Sequence, residues 1–361
     1  MKKILVAMSG GVDSSVTAYL LKNQGYECCG CTMKLYDRED LVSSGYSIDD
    51  ASNAKTCCSL DDVEDAKSVA RNLDMNFHVF NYKEDFRRYV IDDFVANYEK
   101  GMTPNPCIRC NKFLKFDKLL QQAKAIGYDG IATGHYARIE ERDGKYYLKK
   151  AKDLSKDQSY VLYNLTQEQL SQIVFPLGEY EKSKVREIAE ANGFVNAKKH
   201  DSQDICFVPD GDYAKVIESY TAKTFPTGNF VDMDGNIIGP HKGIIHYTIG
   251  QRRGLRISSD GRLYVVKIDA ENNNVVIGSD DDLYSRFVNV RDFHWILGDN
   301  PPSEFTCKAK IRYRMTEQAC KVNVSGENAT ITFDEPQRAA TPGQTAVFYD
   351  GDIVLGGGII Y

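Results

Sequence analysis

The sequence predicts an α/β fold in its first half, a doubly wound parallel sheet, followed by a small linking module and a C-terminal β-barrel-like domain. Short apolar runs alternate with segments of helical period as far as about residue 135. From Asn229 onward the helical period disappears. Asp234-Gly235, Asp260-Gly261, Ser325-Gly326 and Asp350-Gly351 then separate runs rich in Val, Ile, Tyr and Phe, as hairpins do in small barrels. The 361 residues suit two to three domains at about 150 residues each. Boundaries are expected near 205 to 215 and 270 to 285, giving segments 1–208, 209–278 and 279–361.

Ile4 to Ala7 reads as a buried strand, followed by a glycine turn and a helix from Ser14 to about Asn23 with Val16, Tyr19 and Leu20 on one face. Cys28 to Leu35 is a second strand, Leu60 to Leu73 a helix with Asp61 near its start, and Phe77 to Phe80 a third strand. Helices over Glu84 to Tyr98 and Lys112 to Ile126 flank a loop at Gly101 to Asn111, and Gly130 to Thr133 is the fourth strand. Beyond Gly144, a strand at Lys145 to Lys150 precedes helices near Thr166 to Ile173, Lys182 to Asn192 and Tyr213 to Tyr220. These three helices either cover the first sheet or form a connection.

Hydrophobic residues are 42% of the chain and charged residues 27%, and no apolar run approaches the roughly 18 residues of a membrane helix. Ile4 to Met8 is too short for the apolar core of a secretory signal, so a soluble, cytoplasmic protein is expected, with no membrane partner. In that compartment ten cysteines call for burial, metal binding or catalysis rather than a disulfide framework. Cys28, Cys29, Cys31, Cys307 and Cys320 fall on expected strands and suit burial; Cys57-Cys58 suits packing or helix entry. The net charge of −6 argues against uniform polyanion binding. Basic residues nevertheless cluster at Arg142 to Lys156, Lys242 to Lys267 and Lys308 to Lys321, which allows a confined nucleic-acid track, while acid gathers at Asp37 to Asp50.

The first loop reads Ser9-Gly10-Gly11-Val12-Asp13-Ser14-Ser15 and opens a helix. Its glycines allow close backbone approach to an anion, and helix N-terminal amides with the hydroxyls of Ser9, Ser14 and Ser15 suit phosphate oxygens. The Gly-Lys-Ser/Thr ending of a Walker loop is absent, so ordinary γ-phosphate transfer is not indicated. Asp13, an acid beside the expected anion, suits Mg²⁺.

Ser-Gly-Gly-Val-Asp-Ser after the first strand resembles the PP-loop of ATP pyrophosphatases, which adenylate a substrate oxygen and release pyrophosphate. Further motifs narrow the likeness: Thr103-Pro-Asn-Pro-Cys-Ile-Arg-Cys-Asn-Lys112, Ala132-Thr-Gly-His-Tyr136, Lys156-Asp-Gln-Ser159, Asp201-Ser-Gln-Asp-Ile-Cys-Phe207 and Lys310-Ile-Arg-Tyr-Arg314. Together, in order and across essentially the whole chain, they resemble the tRNA-specific 2-thiouridylase family of bacteria. The resemblance implies a PP-loop domain of the adenine nucleotide α-hydrolase type, ATP with Mg²⁺, and sulfur insertion at the wobble uridine, U34, of tRNAs of the Glu, Gln and Lys type. A cysteine desulfurase or a sulfur-relay protein would supply the sulfur.

By the same resemblance Cys206 carries a persulfide and Cys110 is the partner nucleophile. Ala7, Met8, Ser9, Gly10, Gly11, Val12, Asp13 and Ser14, with Met33 and Gly134, meet ATP. Asn105, Pro106 and Cys107 meet the target base, and His135, Lys156, Asp157, Gln158, Arg312, Tyr313 and Gln344 meet tRNA. The chemistry is coherent on its own account, because oxide is a poor leaving group and adenylation turns uracil O2 into departing AMP. A cysteine-borne sulfur is then a strong nucleophile. Many family members carry aspartate where this chain has Cys107. Cys107, Cys110 and Cys206 are also three thiols able to hold an iron-sulfur cluster, a [4Fe-4S] centre with one open iron, so a cluster-dependent thiolation is an alternative. An amide-forming PP-loop ligase acting on a small molecule, which needs no cysteine pair, and a non-catalytic tRNA-binding protein are the others.

Overall fold

In the computed structural model the alternation of apolar runs in the first half becomes a parallel sheet. Residues 2–36, 60–199, 205–208, 210–257, 261–298 and 300–361 are described. The acidic stretch Asp37 to Asp50, Cys57-Cys58, Asp201 to Asp204 and the Asp260 turn position lie outside them. The strands are β1 (Lys3–Ala7), β2 (Glu27–Lys34), β3 (Asn76–Asn81), β4 (Gly130–Ala132) and β7 (Ile173–Val174), in the order β3-β2-β1-β4-β7. Ile4 faces Cys28 on one side and Gly130 on the other, so β1 is central.

A strand alternates its side chains, and β1 uses both faces. Ile4 and Val6 enter a core built with α1 (Val12–Asn23), α2 (Leu60–Asn72) and α6 (Lys182–Ala191). Leu5 enters a larger core with α3 (residues 83–99) and α4 (residues 106–125), through Phe86, Val90, Phe94, Leu114 and Phe116. Burial on both faces explains why the strands read as continuous apolar runs. Both α3 and α4 contain a π-helical segment, Arg87–Ile91 in the first and Cys110–Lys118 in the second.

Two local expectations are corrected. The segment Gly101 to Asn111 is not loop throughout, because α4 begins at Pro106. Asn105 Oδ1 accepts from the Cys107 amide at 3.1 Å and Pro106 takes the first helical position, the ordinary capping arrangement. Cys107 and Cys110 therefore ride on the opening turns of a helix. The Thr166 to Ile173 helix is also shorter. A Thr166/Gln169 capping box starts α5 (Gln167–Leu170), and Ile173-Val174 then joins the sheet as its outer strand.

After α7 (Tyr213–Thr221) comes a four-stranded sheet of β8 (Gly228–Val231), β9 (Ile237–His241), β10 (Tyr264–Asp269) and β11 (Asn274–Gly278). Six strands follow: β12 (Tyr284–Trp295), β13 (Glu304–Lys310), β14 (Gln318–Ser325), β15 (Asn328–Arg338), β16 (Thr345–Asp350) and β17 (Ile353–Ile360). Because β12 pairs with both β15 and β17, they close into a barrel. Asp234-Gly235, Ser325-Gly326 and Asp350-Gly351 occupy hairpin turns there, as the turn chemistry predicts.

The barrel is not separate from the parallel sheet. A hairpin of the first segment, β5 (Ala137–Arg142) and β6 (Lys145–Lys150), extends it where Lys149 faces Ile353. Lys150 forms an ion pair with Glu317, and the fully buried Tyr160 donates its hydroxyl to the Thr345 carbonyl at 2.7 Å. Removing that hydroxyl in Tyr160→Phe leaves a buried acceptor short of a donor. Urea unfolding is expected to show a loss of about 1–2 kcal/mol without a change of fold.

Candidate active site

Beyond the carboxyl ends of β1, β2 and β4 lies a cavity of about 960 Å³, where open α/β sheets place their ligands. Residues 7–9 and 11–14, Met33 and Gly134 line it, so the set expected at ATP is gathered in one place. Gly10 forms the underside of the loop. Its φ is +73°, and a Cβ there would stand 2.3 Å from the Asp62 carbonyl oxygen of α2, so only glycine fits. Gly134 has a comparable reason: a Cβ would approach the Ser14 amide nitrogen to 3.0 Å.

The loop is held by its own hydroxyls. The Ser9 amide donates to Ser14 Oγ at 3.1 Å, and Ser14 Oγ and Ser15 Oγ both donate to the Gly11 carbonyl, at 3.0 and 3.1 Å. Ser15, expected to face phosphate, is instead fully buried and accepts from Asn196 Nδ2 at 2.9 Å. The same Nδ2 reaches the Gly10 carbonyl at 2.9 Å.

Asp13 differs from the expected bare metal ligand. Lys182 Nζ lies 2.7 and 2.8 Å from its two carboxylate oxygens, and the Tyr136 hydroxyl donates to Oδ1 at 2.8 Å. The acid in the anion loop is thus neutralised by a lysine 169 positions away, itself 10% exposed. Lys199 plays a similar part for α2, pairing with Asp62 Oδ1 at 2.6 Å and Asp65 Oδ2 at 2.9 Å. Sequence reasoning missed Lys182, Asn196 and Lys199. The signal was only that lysines follow Glu181 and Asn196 in helical or turn context, which says nothing of distance.

Part of the set expected at tRNA lines the same cavity: His135, Lys156, Asp157, Gln158 and Tyr313. His135 is 7% exposed with Nδ1 2.7 Å from Thr133 Oγ1, and burial, with the Lys115 ammonium nearby, holds its imidazole well below the ordinary range. Asp157 and Gln158 organise their own loop. Asp157 accepts from Ala151 N, Ser159 N and Ser159 Oγ, while Gln158 Oε1 accepts from Tyr136 N at 2.9 Å. Tyr313, 39% exposed, donates to the Asp157 carbonyl at 3.3 Å and stands beside Tyr160. Arg312 lies in the same turn after β13.

Asn105, Pro106 and Cys107, at the start of α4, are not part of the cavity wall, and neither are Cys110 on the same helix and Cys206 in the segment before α7. Cys107 is exposed and Cys110 buried. Cys206, half-buried, packs on the same core as Cys110, and its carbonyl accepts from the Tyr36 hydroxyl at 2.7 Å. Among the described residues no group of three or more His, Cys, Asp or Glu side chains is arranged to hold a metal ion. As arranged here, Cys107, Cys110 and Cys206 do not form such a group.

Three family models match in succession: a tRNA methyl transferase HUP domain over residues 2–210, a tRNA methyl transferase PRC-barrel domain over 214–279, and an aminomethyltransferase beta-barrel domain over 285–360. Proteins named tRNA-specific 2-thiouridylase are similar along the whole length. Those of Clostridioides difficile and Acetivibrio thermocellus are 49% and 50% identical, each over 99% of this chain and 98% and 99% of theirs. One from Caldanaerobacter subterraneus is 51% identical over 99% of this chain and 97% of its own. The chain belongs to the tRNA-specific 2-thiouridylase family.

Within this family member the remaining expected residue, Gln344, is a tether. Its Nε2 donates to the Thr103 carbonyl at 2.7 Å, and Thr103 N donates to the Pro342 carbonyl at 2.8 Å, so the barrel fixes the chain that enters α4. The basic stretches are less available than their composition suggested. Lys149 pairs with Glu140 and Asp352, and Lys152 with Glu179, whereas Arg252 and Arg253 are exposed with no ion pair among the described residues. For the loop itself, Gly10→Ala must strain the backbone and push α2 away. It is expected to cost about 2 kcal/mol or more of stability and most ATP affinity, read by thermal unfolding and calorimetric titration.

Proposed function

We propose that this protein inserts sulfur at position 2 of the wobble uridine of tRNA, using ATP to activate the oxygen it replaces. The observation that supports this most is the PP-loop cavity on the same framework as Cys110 and Cys206, in a chain whose full-length relatives are named for tRNA 2-thiolation. A small-molecule ligase would have no use for the thiols.

The cavity orders the first step. ATP lies with its outer phosphates against the amides and hydroxyls at the start of α1 and its adenine toward Met33 and Gly134. Uracil O2 attacks the α-phosphorus, the bond to the bridging oxygen breaks, pyrophosphate leaves with the electron pair, and the uracil N3 proton is lost to solvent. Lys182 keeps Asp13 from repelling these phosphates. Mg²⁺ fits as an ion carried in by ATP: the hydrogen bonds to Asp13 leave a lone pair on Oδ2, so the chain offers one ligand and the phosphates and water the rest. Bound there, it would neutralise charge on the departing pyrophosphate.

In the second step the terminal sulfur of a Cys206 persulfide attacks C2 and AMP departs. The Cys110 thiolate then attacks Cys206 Sγ and breaks the sulfur-sulfur bond. Thiouridine is released and a Cys110–Cys206 disulfide remains, which a cellular dithiol reduces. A cysteine desulfurase or a persulfide carrier reloads Cys206. In this reading Asn105, Pro106 and Cys107, one turn before Cys110, meet the flipped base, and Arg312, Tyr313, Lys156 and the His135 strand end form the approach for tRNA.

Incubation of unmodified tRNA with ATP, Mg²⁺ and a persulfide donor, followed by nucleoside mass spectrometry, is expected to show the mass gain of sulfur for oxygen at one uridine. Its absence, with donor and tRNA intact, overturns the proposal. Cys110→Ser and Cys206→Ser are expected to keep tRNA-dependent release of pyrophosphate and to lose thiolation. Unchanged thiolation in both would remove the persulfide route.

A further inference from the structure

The cavity holds more positive charge than the protein itself neutralises, and the surplus has an address. Lys182 is paired with Asp13, Lys199 with Asp62 and Asp65, and Lys150 with Glu317, while Lys310 stands 3.8 Å from the same Glu317. Lys156 stands beside Asp153, and Arg314 is on the exposed rim. Lys115 is different. It lines the cavity, is half-buried, and has neither an ion pair nor a hydrogen bond to any carboxylate among the described residues.

Its position is set by α4. Lys115 is one turn beyond Asn111, whose amide donates to the Val161 carbonyl at 3.1 Å, and one residue before Phe116, which packs against His135 and Phe175. The ammonium is thereby held near the end of β4, in the cavity that Thr133, Gly134 and His135 also line, and near enough to act electrostatically on His135. A lysine half removed from water without a counter-ion loses solvation, and an anionic ligand in the cavity restores the balance.

We propose that Lys115 is a catalytic residue of the adenylation step, its ammonium contacting the α-phosphate of ATP and the negative charge that builds there as uracil O2 attacks. The PP-loop amides face the outer phosphates at one end of the cavity, whereas Lys115 stands by Gly134, where the nucleoside end and its first phosphate belong. It is also on the helix that carries Cys107 and Cys110, so the group that stabilises the adenylate and the thiol that completes sulfur release are fixed to one rigid element. A preorganised cation at the point of charge development acts on the transition state more than on the ground state. The inference rests on the thiolation reading, and its test separates the two.

The experiment measures pyrophosphate release from ATP with unmodified tRNA, for wild type, Lys115→Met and Lys115→Arg, with AMP and adenosine affinities by calorimetry. Lys115→Met is expected to lower kcat for release by about 10²–10³ with a smaller change in KM for ATP. It should weaken AMP roughly tenfold while leaving adenosine and tRNA affinities unchanged, and Lys115→Arg should restore part of the rate. A Lys115→Met enzyme with wild-type kcat, or one that weakens adenosine as much as AMP, overturns the role of Lys115 while thiolation by wild type stands. If wild type releases no pyrophosphate with tRNA, the function proposed above fails and this inference with it.

Discussion

The pairing of Lys182 with Asp13 is the constraint on which the site depends. A carboxylate in a loop built to receive phosphates would repel its ligand, and a lysine 10% exposed would be costly to hold without a counter-ion. Together the two charges cancel at short distance and leave the loop amides as the dominant field. Asp13 is about a third exposed, so water tempers the pair; removing one partner nevertheless strands the other beside the nucleotide. The interaction also has a geometric consequence. Lys182 is the first residue of α6, so the loop after β1 is tied to a helix that packs on α1 from outside the sheet.

A second constraint joins the nucleotide site to the barrel. Lys310, Tyr313 and Glu317 reach into the cavity from the β13–β14 connection, and Lys150 meets Glu317 from the β6 end. On the other side, Gly343 has φ +90°, and a Cβ there would stand 2.8 Å from the Thr103 amide nitrogen. The barrel therefore presses directly on the segment that leads into α4, while Gln344 holds it by a hydrogen bond. The position of Cys107 and Cys110 relative to the nucleotide thus depends on residues more than 230 positions later. A change in the barrel that tRNA binding induced would be transmitted to the thiols through packed backbone rather than through a flexible linker.

Much of this was legible in the chain before its fold was seen. The strand, glycine turn and helix at residues 3–23 follow from local period and turn chemistry, and the hairpin turns of the barrel announce themselves by Asp-Gly and Ser-Gly pairs. What escaped was tertiary. Ile173-Val174 is too short to carry a period, and becomes a strand only because Ile131 and Ala132 offer an unpaired edge. The start of α4 was misplaced because Pro104 and Pro106 suggest a loop, although Asn105-Pro106 also has the form of a helix cap. Lys182, Asn196 and Lys199 are ordinary polar residues in sequence; only folding brings them onto Asp13, Gly10 and Asp62. His135, expected to meet tRNA from a strand end, lines the cavity while its ring packs between Phe116 and Phe175, a placement the sequence does not announce.

The two cysteines proposed as nucleophiles differ in their surroundings. Cys206 is half-buried and its backbone is held by Tyr36, whereas Cys110 is buried against the core that also contains Phe86 and Leu114. A thiol that must attack a persulfide only after the oxygen has been replaced gains from such shielding, because an exposed thiolate beside a persulfide would discharge it before the base arrived. The π-helical turns that begin at Cys110 give that segment a wider hydrogen-bond pattern than an α-helix. In the thiolation proposed above, burial of Cys110 would let activation precede sulfur release without a difference in the intrinsic reactivity of the two thiols.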